Sequence, residues 1–452
     1  MKTAKHNKII DYIDRVPEDR VFLILKNIHY SFGEIKSLCT QFKEEYPDLI
    51  DRNCAVISQD RESLAIYLAA IDSVSKITFL QPNDIKDNEI DFYEAIHIDY
   101  VIRLANGKIT SVEQSVCTPE REDINQYSES YVLATSGTTG TPKLASYSLD
   151  SLAATAKKDI GKGTDFVWGL CYDINRFAGL QVYLQTIVSG STMVISSQNE
   201  PINSLVDLYS KSAVNCLSAT PSFWRKTLMD PTHRNIRLKR ITLGGEISNQ
   251  NILSALGKSY PNASIIHIYA STEAGVGFVV KDQKEGFPTD YVKNNSLVGC
   301  NLKVENDLLW IKSSHGCSRF VNGNLDYDKD GFINTGDLVR IDGERVYFLG
   351  RDSGSINVGG NKVMPEKIEA ILELCSCISM AIVFSKKNSV LGALVAAEVV
   401  LSKSDKHRTS KEVKKEIISF CRNKLELFEV PAIIEVVDNI QINSTGKKNR
   451  NI

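Results

Sequence analysis

Short apolar runs recur along the chain, and helical patterns separate them. Val21-Phe22-Leu23-Ile24-Leu25, Cys54-Ala55-Val56-Ile57, Ile77-Thr78-Phe79-Leu80 and Tyr131-Val132-Leu133-Ala134 come first. Thr192–Ser196, Cys216–Ala219, Ile241–Leu243 and Ile265–Tyr269 follow. Runs of this length and composition read as strands, whereas Leu64–Ile71 and Leu149–Lys157 carry helical spacing. Such alternation predicts an α/β layer arrangement. From Leu297 to Arg345 the runs shorten, and Asn322-Gly323-Asn324 and Asp330-Gly331 mark turns, so a small β-rich unit with hairpins is expected there. A new pattern begins after Phe348-Leu349-Gly350-Arg351-Asp352-Ser353-Gly354. It predicts a helix over Pro365–Leu374, strands over Met380–Phe384 and Ala393–Leu401, a helix over Ser410–Leu425 and a terminal β-hairpin. The expected organisation is a large N-terminal domain, residues 1–352, of α/β subdomains plus a β-rich subdomain. A small α+β C-terminal lobe, residues 353–452, completes it, within the size at which a chain keeps its own core.

Composition narrows the function classes. The 452 residues include 53 basic and 55 acidic side chains, a formal charge of -2, which leaves no electrostatic footprint for nucleic acid or a membrane surface. The start, Met1 to Lys8, runs into Asp11, Asp14 and Arg15, with no apolar core for a signal peptide. The longest apolar stretch, Leu391–Leu401, is interrupted by Glu398 and too short to span a bilayer. The expected location is cytoplasmic. Ten cysteines are scattered without ligand spacing, and Cys375-Ser376-Cys377 lacks a second half, so buried reduced thiols are expected and a dedicated metal cage is not. Any metal would arrive with a nucleotide, held by few carboxylates.

The densest chemistry lies in Thr135-Ser136-Gly137-Thr138-Thr139-Gly140-Thr141-Pro142-Lys143, which packs five hydroxyls, two glycines and a lysine into nine residues. Glycines let successive backbone N–H groups converge on an anion, hydroxyls donate further bonds, and lysine adds a mobile positive charge. This points to a nucleotide triphosphate. A Walker loop is excluded, because Thr141 and Pro142 intervene between Gly140 and Lys143. A solvated turn is the plain alternative.

Four more segments combine polar groups at the ends of predicted strands. Tyr269-Ala270-Ser271-Thr272-Glu273 brings an aromatic ring, hydroxyls and a carboxylate to a strand's carboxyl end, where open α/β sheets bind ligands. A capped helix start is its alternative. Gly244-Gly245-Glu246 permits close approach of a flat ring to the backbone, or is a simple turn. Asn334-Thr335-Gly336-Asp337 precedes a predicted strand and offers an acid to a ribose, or forms a hairpin turn. Asn443-Ser444-Thr445-Gly446-Lys447-Lys448 is a basic tail, solvated unless its turn aims one lysine in a fixed direction.

With these segments in this order the chain resembles the adenylate-forming superfamily of acyl- and aryl-CoA synthetases, peptide-synthetase adenylation domains and firefly luciferase. TSGTTGTPK, YASTEAG, NTGD, GRDSGSINVGGNKVMPEKIE and STGKKNR carry the resemblance over nearly the whole chain. It implies that Thr135, Ser136, Gly137, Thr138, Thr139, Gly140 and Lys143 embrace the β- and γ-phosphates of ATP. Gly244, Gly245, Glu246 and Tyr269, with Ala270 and Ser271 beside them, would form the adenine slot. Thr272 would touch the α-phosphate, Glu273 would bind Mg2+, and Asp337 and Arg351 would hold the ribose. Lys447, on a mobile lobe, would reach the α-phosphate and the substrate carboxylate. The implied reaction is ligation of a carboxylic acid to a thiol through an acyl-adenylate, with release of pyrophosphate. Ser353 lies where the family has an acid or lysine at the hinge, and Gly359 and Gly360 would line the path of a pantetheine arm. Ala270 stands in place of a common glycine, and Tyr147-Ser148 in place of Thr-His.

The acid pocket would draw on Arg176, Phe177 and Gly179. Phe177 stands where amino-acid-activating members place an aspartate, which disfavours an α-amino acid unless Asp173 supplies the carboxylate. Arg176, at a position that often holds histidine, would bind a polar group of the acid or form a structural ion pair. No carrier-like serine segment follows Lys447, so the acceptor is expected in trans, as coenzyme A or the phosphopantetheine of a separate carrier protein. The alternatives are a free-standing amino-acid adenylation enzyme and a catalytically silent nucleotide-binding homologue.

Overall fold

In the computed structural model the described residues are 8–85, 89–116, 129–135, 142–197, 200–294, 298–325, 327–388, 392–441 and 447–448. Two large sheets dominate the N-terminal domain. The eight-stranded one runs, edge to edge, Gly275–Val280, Ser264–Ser271, Arg240–Gly244, Cys216–Ala219, Val167–Leu170, Thr192–Ile195, Val21–Leu25 and Ile28–Ser31. Its six central strands are parallel and both edges antiparallel. The seven-stranded sheet contains Asn53–Ser58, Ile77–Gln81 and Tyr131–Ala134 in parallel, then Leu144–Tyr147 antiparallel to the last.

One apolar cluster joins the sheets. Phe22 and Leu23 of the first and Leu80 and Tyr131 of the second meet on residues of the helices Phe32–Glu45, Arg61–Val74 and Phe177–Ser189. Inside it, the Asp72 carboxylate accepts from Ile9 N–H at 2.6 Å and Tyr131 O–H at 2.7 Å. Burial raises the pKa of both side chains.

The β-rich unit is a five-stranded antiparallel sheet built on Cys300–Glu305, Leu308–Ser313, Ile333–Asp342 and Arg345–Arg351, with Phe287–Pro288 at its edge. The small lobe has its own core. The helices Pro365–Leu372 and Ser410–Arg422 cover a sheet of Ile378–Asn388, Gly392–Leu401 and Ile433–Val436.

The strands expected from the apolar runs are present, with ends shifted by a residue or two, except that the strand expected over Met380–Phe384 spans Ile378–Asn388. Four expectations need correction. The helix after the phosphate loop is only Leu149–Ala153, and the lobe helices stop at Leu372 and Arg422. Among the described residues the chain's end forms no hairpin: Ile433–Val436 pairs in parallel with Ala396–Val399. Asn334–Asp337 does not precede a strand but lies inside Ile333–Asp342, where Gly336 takes φ +70° beside shifts in register. Finally, Tyr269–Glu273 leads into no helix, since Ser264–Ser271 turns back into antiparallel Gly275–Val280. Ser271 Oγ accepts Ala274 N–H at 3.0 Å to close that turn. No helix among the described residues is long and apolar enough to cross a membrane.

Candidate active site

Parallel strands deliver their carboxyl ends to one rim of the eight-stranded sheet, so Thr220, Gly245 and Ser271–Glu273 lie at neighbouring strand ends. Tyrosine hydroxyls tie the other two sheets to that rim. Tyr147, buried on Leu144–Tyr147, donates its hydroxyl to the Thr272 carbonyl. Tyr269 donates to Asp337 Oδ2 at 2.5 Å, tying the rim to the five-stranded sheet. The Tyr269 ring lies near-parallel to Phe278 and Phe348, with centroids 5.1 and 5.2 Å away. Burial, then the adjoining Asp337 carboxylate, pushes its pKa well above the usual tyrosine value. The register of Asp337 opposite Arg351 brings Arg351 Nε to 3.3 Å from Asp337 Oδ1.

Lys447 enters from the small lobe. Gly245 holds φ +82°, and a Cβ there would stand 3.5 Å from Lys447 Cε and 3.6 Å from Thr220 Cγ2. Both distances are ordinary van der Waals contact, so the lysine stem lies along the strand end at Gly245, and it is the positive φ that favours glycine there. Burial lowers the Lys447 pKa and the neighbouring Arg351 lowers it further, with Glu246, Asp337 and Glu273 pulling the other way. Arg351 goes up instead: desolvation opposes its charge, but Asp337, Tyr269 and Glu273 outweigh that. Two cations and three carboxylates thus share one cleft.

The base of the phosphate loop is clasped. Thr135 N–H donates to the Lys143 carbonyl at 2.8 Å, and Lys143 N–H donates to Thr135 Oγ1 at 3.0 Å. Asn322 holds the loop's exit, donating to the Pro142 carbonyl at 2.9 Å and accepting Leu144 N–H at 2.7 Å. Lys143 Nζ lies 5.0 Å from the Phe320 ring centroid. Ser136, Gly137, Thr138, Thr139 and Gly140 lie outside the described residues.

Glu246 has a second set of partners. Its carboxylate accepts Ser222 N–H at 2.8 Å, Ser222 O–H at 2.9 Å and Lys448 N–H at 3.1 Å. It thereby caps the helix Pro221–Met229, whose N-cap Thr220 also accepts Phe223 N–H. Glu246 is a brace between this helix and the tail.

The expected acid-pocket residues form a separate group. Arg176 precedes the helix Phe177–Ser189 and places Nη2 2.5 and 2.6 Å from the Asp84 oxygens. Desolvation lowers its pKa, against the pull of Asp84 and Asp173. Asp173 is held by Arg61 Nε at 2.6 Å, so it is committed to an ion pair rather than offered to an ammonium group. These four residues line a cavity of about 220 Å³. Phe177 reaches Tyr147, with ring centroids 5.9 Å apart. A Cβ on Gly179 would run into the Asp173 carbonyl, so the glycine serves the close approach of helix and loop.

Ser353 is exposed in the 3-10 turn Asp352–Gly354. Gly359 and Gly360 take φ +57° and +90° in the turn between Ile356–Val358 and Asn361–Val363, with open space about Gly360. Asn322, Tyr147, Ser222 and Lys448 are the site residues that sequence reasoning gave no role. The doubled lysine at the tail was no signal, since Lys157-Lys158, Lys386-Lys387 and Lys414-Lys415 repeat it.

The family model described as AMP-binding enzyme matches residues 46–307, and that described as AMP-binding enzyme C-terminal domain matches residues 367–447. The 2-succinylbenzoate–CoA ligase of Bacillus velezensis is 22% identical over 507 aligned residues, covering 99% of this chain and 97% of its own. That of Listeria innocua is 21% identical, covering 89% and 88%. Among solved structures, the anthranilate CoA ligase AuaEII in complex with anthranoyl-AMP has a TM-score of 0.78 at 14% identity. It covers 98% of this chain and 95% of that one, which shows a shared fold. With more than half its length matched by the first family model, the chain belongs to the AMP-binding enzyme family of adenylate-forming ligases.

Proposed function

We propose that the protein joins a carboxylic acid to the thiol of coenzyme A in two steps that share one cleft. In the first, a carboxylate oxygen attacks the α-phosphorus of ATP, the bond to the β-phosphate oxygen breaks, and pyrophosphate leaves. In the second, the thiol sulfur attacks the acyl carbon and AMP departs with the bonding electrons. The observation that carries this reading is the position of Lys447. Against Gly245 and beside Arg351, Asp337 and Glu273, its ammonium lies where charge builds as two anions are forced together.

Each residue then has a task. Asp337 and Arg351 hold the ribose hydroxyls, with Tyr269 fixing the Asp337 carboxylate. Gly244, Gly245, Ala270 and Ser271 border the adenine, and Glu246 braces the slot from behind. Thr135 and Lys143 anchor the phosphate loop, and Thr272 faces the α-phosphate. Glu273 is the half-buried carboxylate of this cleft that the resemblance assigns to Mg2+, and one carboxylate completed by phosphate oxygens suits that ion. Bound there, the ion would neutralise phosphate charge. Residues 353–452 turn about Ser353 between the two steps, bringing Gly359 and Gly360 toward the acceptor arm.

Coenzyme A is favoured over a carrier protein because the named relatives are CoA ligases. Their acids, 2-succinylbenzoate and anthranilate, put aryl carboxylic acids first among candidates. The pairing of Asp173 with Arg61 speaks against an α-amino acid. Cytoplasmic coenzyme A and ATP pools fit this activity. The test is ATP–pyrophosphate exchange over aryl, fatty, hydroxy and amino acids, followed by mass measurement of the thioester. Orthophosphate release, or ATP binding with no exchange for any acid, would overturn it.

A further inference from the structure

The tail sends two consecutive lysines to opposite surroundings. Lys447 goes to the nucleotide cleft, whereas the Lys448 side chain, only 7% exposed, turns into the small lobe. Its ammonium donates to Glu369 Oε2 at 2.9 Å, Glu373 Oε1 at 3.1 Å and the Ala381 carbonyl at 2.7 Å. An ammonium has three donors, and the lobe satisfies all of them. The Glu373 carboxylate is shared with the large domain, where Arg225 Nη2 lies at 2.7 Å and Asn249 Nδ2 at 3.4 Å. Glu369 also accepts Val383 N–H at 3.0 Å, and the Lys448 backbone N–H donates to Glu246. Two cations and two carboxylates are therefore balanced and shielded across the boundary between lobe and domain.

We propose that Lys448 is a positioning residue for adenylate formation: it pins the tail to the small lobe, so that its neighbour Lys447 is presented to the cleft at a fixed reach. The Arg225–Glu373 pair then locks that orientation of the lobe. The proposal rests on the role given to Lys447 above. A buried ion cluster is a poor source of net stability, because desolvation offsets most of its attraction, but it is selective for geometry. This one is neutral only with lobe and domain apposed. When the lobe turns, Lys448 stays with Glu369 and Glu373, while Arg225 and Asn249 stay behind. The cluster thus favours the orientation in which ATP is attacked.

Lys448→Met tests this. Pyrophosphate exchange should fall by about tenfold or more in kcat with little change in KM for ATP, the cost of misplacing a catalytic group. Thioester formation from the synthetic acyl-adenylate should stay within about twofold of the parent, and Lys448→Arg should recover part of the loss. Hydrogen exchange at the Lys448 amide should quicken in Lys448→Met but not in Lys447→Ala. Should Lys448→Met fail to fold, Arg225→Met loosens the same lock while leaving Lys448 paired inside the lobe, and exchange should again drop with the second step spared. Undiminished pyrophosphate exchange, or equal losses in both half-reactions, would overturn the proposal. If instead Lys447→Ala kept full exchange, the role of Lys447 would fall, and amide exchange would still report whether Lys448 pins the tail.

Discussion

Lys447 and Lys448 differ by one position in the chain and by everything in their surroundings. Lys448 is desolvated, yet Glu369 and Glu373 more than offset this and hold its pKa above the usual lysine range, despite Arg225. Lys447 is desolvated too, but there burial wins, Arg351 adds to it, and the pKa goes down. On the proposed reading, the contrast separates a cation that serves architecture from one kept for incoming negative charge. The first is surrounded by carboxylates of its own lobe. The second faces the opposing domain, beside Arg351, Glu246, Asp337 and Glu273.

The largest test of this contrast is Lys447→Ala, expected to lower pyrophosphate exchange by about 10²- to 10³-fold, the loss seen when one group that stabilises developing charge is removed. A circular-dichroism melt should show it folded. Next is Gly245→Ala, which forces a side chain into positive φ at a cost of about 1 to 2 kcal/mol while its Cβ meets the Lys447 stem at ordinary contact distance. A lower melting temperature would confirm the strained backbone, and an unchanged one would mean that residue 245 does not need positive φ.

The pH profile sharpens the comparison further. Only protonated Lys447 can stabilise the transition state, and its folded pKa is depressed, so kcat/KM for exchange should decline as pH rises through a value below the ordinary lysine range. Lys447→Arg should push that alkaline limb to higher pH. The smallest effect is expected of Lys143→Ala. Both bonds of the clasp use backbone atoms of residue 143 and so survive the change, and KM for ATP should rise several-fold, about 1 kcal/mol, with kcat nearly kept.

The sheets were legible because their strands are short apolar runs bounded by turn residues, as at Tyr131–Ala134 and Cys216–Ala219. The segments proposed to face the nucleotide stand out in the sequence as clusters of glycine, hydroxyl and acid near strand ends. Their geometry does not. Nothing local in Asn334–Asp337 tells that its turn is a bulge inside a strand, because that depends on pairing with Leu308–Trp310. Asn322 grips Pro142 from 180 residues away, and Lys448 finds Glu369 from 79. Such partners are set by tertiary placement, which propensity and spacing do not encode. Glu246 shows the converse: its position was legible, but its carboxylate is taken up by Ser222 and the Lys448 amide.

The bonds from Tyr147 to Thr272 and from Tyr269 to Asp337 are polar stitches added to the apolar clusters that join the three sheets. A ligand lying over both would fasten all three sheets at once, so substrate occupancy is also a structural event. Calorimetry should therefore show the three sheets coming apart as one cooperative unit when a non-hydrolysable ATP analogue is present, and with a broader transition when it is absent.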